Sequence, residues 1–429
     1  MTVQRRNAAL TYQYIILLLI GVILSTVSRR LEPLCVVLPL VVALLYSRLT
    51  PAAPVFTLTC QVTPLRAFEG DAITVTITLS ATTGVPPLEI WHLIPPEATC
   101  VSGSPRVLCT LQAGATYTTH HEVTFARRGT YTLGQLYGRV HLPTDLQPLL
   151  LQAQHDVVCR VYPRVTPLPQ HLPPRHTHVS FGHYVSRHVG EGLEFAGVRL
   201  YNSGDRLRRV HWRTSLVRQQ LYVTDYYCER NADVVLLLDT LASVGTAHLN
   251  TLDVAVRAAA SLAAHYLLHK DRVGLINYGG ICTWVTPAVG PLQLSRLLDA
   301  LLESRTHFSY LSKDVGLIPP RVLPPGALLI VLTPLLDPRL LTALHDLLAR
   351  AFQVVLVVLS PLYVLPTARQ PRQAEATALL WRLEMERHLA PFRRLGVPVI
   401  LQESEDPLQG LYTVLTRRHR LPLAPQRGG

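Results

Sequence analysis

Residues Asp233 to Asp239 read DVVLLLD, an unbroken apolar run closed at each end by a carboxylate. Five consecutive Val and Leu residues leave no polar face, so the run is expected to be a strand covered on both sides. The neighbouring sequence supports a buried strand. The stretch TLDVAVRAAASLAAHYLLHK (Thr251–Lys270) is rich in Ala and Leu at helical spacing, and LQLSRLLDALLES (Leu292–Ser304) repeats the pattern. RVGLINYG (Arg272–Gly279), ICTWVTP (Ile281–Pro287), ALLIVLTP (Ala327–Pro334), FQVVLVVLS (Phe352–Ser360) and VPVILQE (Val397–Glu403) read as further strands. Apolar strands alternating with helices imply an α/β domain over 233–415 with a doubly wound, mostly parallel sheet. Ligands of such folds sit beyond the carboxyl ends of the strands, where Asp239 is expected.

Toward the N-terminus the period changes. DAITVTITLS (Asp71–Ser80) alternates strictly, and Ala115–Val140 reads as two strands joined at Arg127-Arg128-Gly129. Turn signals at Glu69-Gly70-Asp71, Val85-Pro86-Pro87 and Gly103-Ser104-Pro105 recur about every ten residues. An all-β, immunoglobulin-like sandwich is expected over 54–165. The Pro-rich YPRVTPLPQHLPPRH (Tyr162–His176) then opens a stiff joint over 166–232. His171, His176, His178, His183 and His188 gather there without metal-ligand spacing, and read as solvated loop residues.

The 429 residues carry a formal net charge of +12, and 38 of the 40 basic residues are arginine. They are scattered through the chain, so a nucleic-acid partner is not expected. Seven cysteines without a CxxC pair (Cys35, Cys60, Cys100, Cys109, Cys159, Cys228, Cys282) suggest buried thiols in a reducing compartment. Cys100 and Cys109 could instead face each other across a hairpin in an oxidising one.

Near the start, YQYIILLLIGVILSTV (Tyr12–Val27) and a second apolar run from Leu34 to Tyr46 flank a short charged loop. They are read as a transmembrane helical hairpin over 1–50, in contact with the lipid bilayer through 12–46. A cleaved signal peptide is the competing reading. The positive-inside rule places the bulk of this multi-pass protein of the cell membrane on the cytoplasmic side, by one charge.

The segment GEGLEFAGVRLYNSGDRLRRVHWRTSLVRQQLYVTDYYCERNADVVLLLD resembles the signature of the domain of unknown function 58 family. The pattern is met by Glu194, Phe195, Arg199, Tyr201, Gly204, Asp205, Arg208 and Trp212, with Val210 in place of Ile and Asp239 closing the strand. The resemblance implies a membrane-tethered protein with a von Willebrand factor A-like domain. It also implies work beside a MoxR-type AAA+ ATPase in assembling or activating other complexes. Asn202-Ser203-Gly204-Asp205 has turn chemistry of its own. Arg199 and Arg208 can fork onto Asp205 or Glu194, or stack on Tyr201 and Trp212. The eight signature residues are therefore the candidate partner-binding site, with a structural joint as the alternative.

Von Willebrand A domains carry a D-x-S-x-S motif that, with a Thr and an Asp from later loops, cages Mg²⁺ in oxygen ligands. Here the run is Asp239-Thr240-Leu241-Ala242-Ser243, and Pro334 stands near where the later Asp would be. Asp239, Ser243 and Asp337 are the remaining candidate ligands of a degenerate Mg²⁺ site. No cofactor is otherwise expected. Elbow, phosphate-loop and zinc-protease motifs are absent, so neither enzyme activity nor a small-molecule substrate is expected. The expectation is an interaction scaffold or adaptor; the alternative is a Mg²⁺-dependent adhesion protein with an extracytoplasmic bulk. Thr416–Gly429 reads as a basic tail.

Overall fold

The computed structural model describes residues 2–5, 9–29, 32–49, 55–141, 149–168, 178–190, 194–246, 249–307, 315–364 and 371–402. The chain divides into two compact units, Met1–Tyr162 and Pro163–Gly429.

The first unit holds β1 (Thr2–Arg5), α1 (Ala9–Ser28) and α2 (Glu32–Leu49), and then the strands β2 (Phe56–Thr63), β3 (Arg66–Phe68), β4 (Ala72–Ala81) and β5 (Val85–His92). It continues with β6 (Ala98–Ser102), β7 (Arg106–Leu111), β8 (Thr116–Phe125), β9 (Gly129–Val140) and β10 (Leu149–Tyr162). One sheet runs β1-β10-β9-β5-β7, with β3 added on β10, and the other runs β2-β4-β8-β6. In β4 the alternation does what it demands: Ile73, Val75, Ile77 and Leu79 are buried while the threonines between them face outward. Ile73, Val75 and Ile77 join Val123 and Phe125 of β8, Leu133 and Leu136 of β9, and Cys159 and Val161 of β10 in a core shared by both sheets, while Leu79 packs with Val85, Leu88 and Val140 in a second cluster. Each such side chain contributes about 1.5–3 kcal/mol on leaving water.

The second unit contains β11 (His178–Gly190), β12 (Glu194–Leu200), α3 (Trp212–Arg218) and β13 (Tyr222–Asn231), the strands forming an antiparallel sheet in the order β11-β13-β12. It then alternates β14 (Asp233–Asp239), α4 (Thr251–Leu268), β15 (Arg272–Tyr278), β16 (Thr283–Ala288), α5 (Pro291–Glu303), β17 (Leu328–Thr333), α6 (Pro338–Ala349), β18 (Gln353–Leu359), α7 (Pro371–Arg394) and β19 (Val399–Gln402). Their sheet runs β16-β15-β14-β17-β18-β19, with β16 antiparallel at the edge. Every residue of β14 is buried. Asn250 caps α4 by accepting from the Asp253 amide at 2.7 Å, which sets where that helix starts.

Three expectations are corrected. Among the described residues no helix is long and apolar enough to cross a membrane, which overturns the transmembrane hairpin and the multi-pass membrane localisation. In α1 the unbroken apolar run is Tyr14–Leu24, 11 residues flanked by Gln13, Ser25 and Thr26. At about 1.5 Å per residue it covers roughly half of a bilayer core of about 30 Å. α2 opens on Glu32 and carries Pro39 in its interior.

The fold class as expected, a doubly wound parallel domain plus a sandwich and a membrane hairpin, is also corrected. The chain is mixed α/β with many antiparallel strands and, among the described residues, seven α-helices. Antiparallel pairing extends into the second unit, where β13 pairs with β12 after a connection that holds a turn, a 3-10 turn and α3.

The histidine stretch likewise departs from a loop: His178, His183 and His188 lie on β11. Cys60, Cys109 and Cys159 are buried free thiols, while Cys100 is exposed and donates to the Ser102 carbonyl. The tail 416–429 and His171 and His176 lie outside the described residues.

Candidate functional site

The signature segment is a braced loop between two strands. β12 pairs with β13 from Glu194 opposite Tyr227 to Leu200 opposite Tyr222. The chain then turns over Asn202–Asp205, with the Asp205 amide donating to the Asn202 carbonyl at 3.0 Å. Gly204 sits at φ +109°, which L side chains rarely adopt. Asp205 Oδ2 accepts from the Asn202 amide at 2.8 Å, closing the turn.

Arg199 projects into this turn. Its Nη1 and Nη2 donate to the two oxygens of Asp205 at 2.7 and 2.8 Å, and its Nε lies 3.0 Å from Asp225 Oδ2. One guanidinium thus joins the turn to β13 through two carboxylates, a geometry lysine cannot copy. The fork from Arg199, together with the Asn202 amide, pulls the Asp205 carboxyl down to about 2. The same hydrogen bonds raise the Arg199 guanidinium above its ordinary value.

Beyond the turn, a 3-10 turn at Leu207–Arg209 leads into α3. Val210, buried, bridges to Val223. His211 caps α3, its Nδ1 accepting from the Thr214 amide at 3.3 Å. Ser215, buried on the inner side, donates to the His211 carbonyl at 3.0 Å and accepts from the Tyr222 amide at 2.9 Å. With that face pinned to β13, the rest of α3 faces water. Leu207, Trp212, Leu216 and Val217 are 64, 61, 77 and 78% exposed.

Of the signature residues, the structure brings Arg199 and Asp205 together around a turn that Gly204 permits. Tyr201 is half-buried, whereas Arg208 and Trp212 face outward. The Glu194 and Phe195 side chains lie outside the described ones. Asp225, the second carboxylate on Arg199, is a residue that sequence reasoning missed. Nothing in YVTDYY marks it, since its role depends on the β12–β13 register.

Asp239 stands at the carboxyl end of β14 and is 2% exposed. Its Oδ2 accepts from Thr333 Oγ1 at 2.6 Å and its Oδ1 from the Leu241 amide at 3.0 Å. Thr333 Oγ1 in turn accepts from the Leu335 amide at 2.8 Å. Burial pushes the Asp239 carboxyl up to about 6, against the opposing pull of those hydrogen bonds. Asp337 caps α6 through the Arg339 amide, and the Arg339 side chain clamps both of its oxygens at 2.9–3.0 Å, holding its carboxyl below the usual range. Ser243 is half-buried. These residues do not fit a divalent cation. Asp239 is committed to protein donors, Asp337 faces a guanidinium, and among the described residues no group of three or more His, Cys, Asp or Glu could hold a metal.

A separate cavity of about 300 Å³ lies beside β15, β16 and the end of α5, lined by Thr240, Asn277, Thr283, Trp284, Ser304 and Arg305 among others. The Asn277 amide spends Nδ2 on Thr283 at 3.0 Å and Oδ1 on Ser304 at 3.2 Å.

The geometry defines a class: an α/β unit that presents a rigidly braced loop and a short helix with an exposed apolar side. Residues 197–363 match the family described as protein of unknown function DUF58, which supports that family for this chain. The matched stretch takes in Arg199, Asp205, Trp212, Asp239, Thr333 and Asp337, and begins after Glu194 and Phe195. No curated protein matches the chain. Among solved structures, a β-glucosidase from Listeria innocua in complex with isofagomine is matched at 13% identity and a TM-score of 0.15. That likeness covers 26% of this chain, which spans 16% of the glucosidase's length. The cupredoxin domain of amoB from Nitrosocaldus yellowstonii is matched at 13% identity and a TM-score of 0.17, over 29% of this chain and 96% of that domain. At such TM-scores neither likeness bears on function.

Proposed function

We propose that this chain is a protein-interaction adaptor that uses its signature segment to engage a partner, a MoxR-type AAA+ ATPase, in the assembly or activation of other complexes. The supporting observation is the contrast within one segment. Arg199 locks the turn to β13 through Asp205 and Asp225, while Trp212, Leu216 and Val217 are left in water on the outer side of α3. Large apolar side chains on a rigid frame favour binding, because little order remains to be imposed when a partner arrives. The reading assigns the chain no reaction of its own.

The test is co-purification of the full chain with such an ATPase, in the parent form and as Asp205→Ala and Trp212→Ala. Loss of the complex by at least about tenfold in affinity is expected for Trp212→Ala, the effect of removing an aromatic anchor. Retained binding in both variants overturns this docking surface.

A further inference from the structure

The surface that supports the adaptor reading also carries a charge pattern, and that pattern specifies what it would take. From Arg206 to Leu221 the chain holds Arg206, Arg208, Arg209, Arg213 and Arg218 and not one Asp or Glu. The acids that flank this stretch in sequence, Asp205 and Asp225, both pair with Arg199. Arg208, Arg213 and Arg218 are exposed, as are Leu207, Trp212, Leu216 and Val217. Trp212 and Leu216 are four residues apart on one side of α3, with Arg213 and Val217 beside them, so apolar and cationic groups share one outward ridge.

Resting on that reading, we infer that the ridge at Leu207–Arg218 docks an amphipathic helix of a partner protein, a helix whose apolar stripe is flanked by Asp and Glu. Two features select this occupant and two disfavour others. An apolar row at helical spacing fits the groove between the side-chain rows of another helix. Arginine forks match carboxylates held at fixed places alongside that stripe. Trp212 is the one exposed aromatic on the ridge, beside the aliphatic Leu216 and Val217, whereas single-stranded nucleic acid is held by successive stacking faces, which disfavours that occupant. A lipid surface would want the cations on the side away from the apolar groups, and here Arg213 stands among them.

The experiment is selection of helical 16-residue peptides from a displayed library on the immobilised full chain. A parallel selection uses Arg208→Glu/Arg213→Glu/Arg218→Glu, whose exposed sites leave the core untouched. Selected peptides are expected to converge on apolar residues at i, i+3 or i+4, and i+7 with acidic flanks. Their binding should weaken at least roughly tenfold between low and high salt, since exposed charge pairs are screened. The charge-reversed chain should select basic flanks instead. Convergence on neutral or basic flanks with the parent chain, or no convergence at all, overturns the inference. So does tighter binding of the parent chain to phosphatidylserine vesicles or duplex DNA than to any selected peptide. If acidic peptides are selected but the ATPase does not co-purify, the adaptor assignment fails while the docking chemistry stands; the converse result removes the acidic helix and leaves the adaptor.

Discussion

Thr333 Oγ1 donates a 2.6 Å hydrogen bond to Asp239 Oδ2 and so ties together the carboxyl ends of two neighbouring parallel strands, from residues 94 positions apart. The donor matters because the carboxylate it serves has almost no access to water. Thr333→Val keeps the shape and removes the hydroxyl, leaving a buried acceptor short of one partner. A loss of about 1–3 kcal/mol in folding stability is expected, read from the urea midpoint at pH 7. An unchanged midpoint would show that the hydroxyl contributes nothing there.

Asp239 also predicts a pH dependence. Its folded value of about 6 lies above the ordinary 3.8, so the folded state holds the proton more tightly than the unfolded chain does. The stabilisation from that proton is complete below about pH 4 and is lost as pH rises through 6. Two units correspond to about 3 kcal/mol as an upper figure. Asp239→Asn should flatten this part of the stability profile between pH 4 and 7, measured by urea melts at intervals across the range. A variant with the parent slope would assign it to other groups.

A histidine pair works in the opposite direction in the first unit. His92 Nδ1 and His121 Nε2 are 2.9 Å apart and buried, and His92 Nε2 accepts from the Gly134 amide at 3.2 Å. Burial first, and His121 second, push His92 down to about 4; burial also lowers His121. The unfolded chain therefore binds protons that the folded unit refuses, and stability falls as pH drops from about 6.5 toward 4. For His92 the effect is about 3 kcal/mol. His92→Gln should reduce the acid sensitivity of the first unit, followed by proton NMR of its core methyl groups.

Gly134 adds a steric prediction beside that pair. It lies at φ +98°, next to the irregular register between β9 and β10, and a Cβ there would collide with the His155 carbonyl oxygen. Gly134→Ala is expected to cost roughly 2–5 kcal/mol from left-handed strain and overpacking together. Thermal melting of the variant checks it, and a melting temperature equal to the parent's would refute the steric account.

Loop bracing is testable without a partner. Lysine at position 199 supplies one ammonium where the arginine serves two carboxylates, so Arg199→Lys should loosen the Asn202–Asp205 turn. Markedly faster amide exchange at Asn202 is expected, with exchange in β14 unaltered. Equal exchange at Asn202 in both proteins would mean that the fork does not hold the turn.

Much of the local structure was legible. Asp71–Ser80 alternates because one face meets the core, and its isoleucines and valines are the buried set in β4. Asp233–Asp239 is apolar throughout because both faces of β14 are covered, and the run places Asp239 at the strand's carboxyl end. The membrane reading fails because the apolar runs Tyr12–Val27 and Leu34–Tyr46 are interrupted by Gln13, Ser25 and Thr26 in the first and Pro39 in the second. β11 was missed because the histidines of HVSFGHYVSRHVG blur the two-residue alternation that identifies a strand. In the candidate site, Arg199 and Asp205 could be paired by their closeness in a turn, whereas Asp225 and Thr333 could not be paired with anything.

The amino-acid order by itself determined where strands such as Asp71–Ser80 and Asp233–Asp239 lie, since burial on one face or two leaves its period in the chain, and it determined that the 206–221 stretch is basic without a single acid. Only the tertiary structure decided the partners of the carboxylates: Asp205 and Asp225 to one guanidinium, Asp239 to a threonine hydroxyl, Asp337 to Arg339. Those choices depend on strand register and on which groups burial strips of water. A buried carboxylate binds the donor that the sheet sets within three ångströms of it, and no spacing along the chain records that distance.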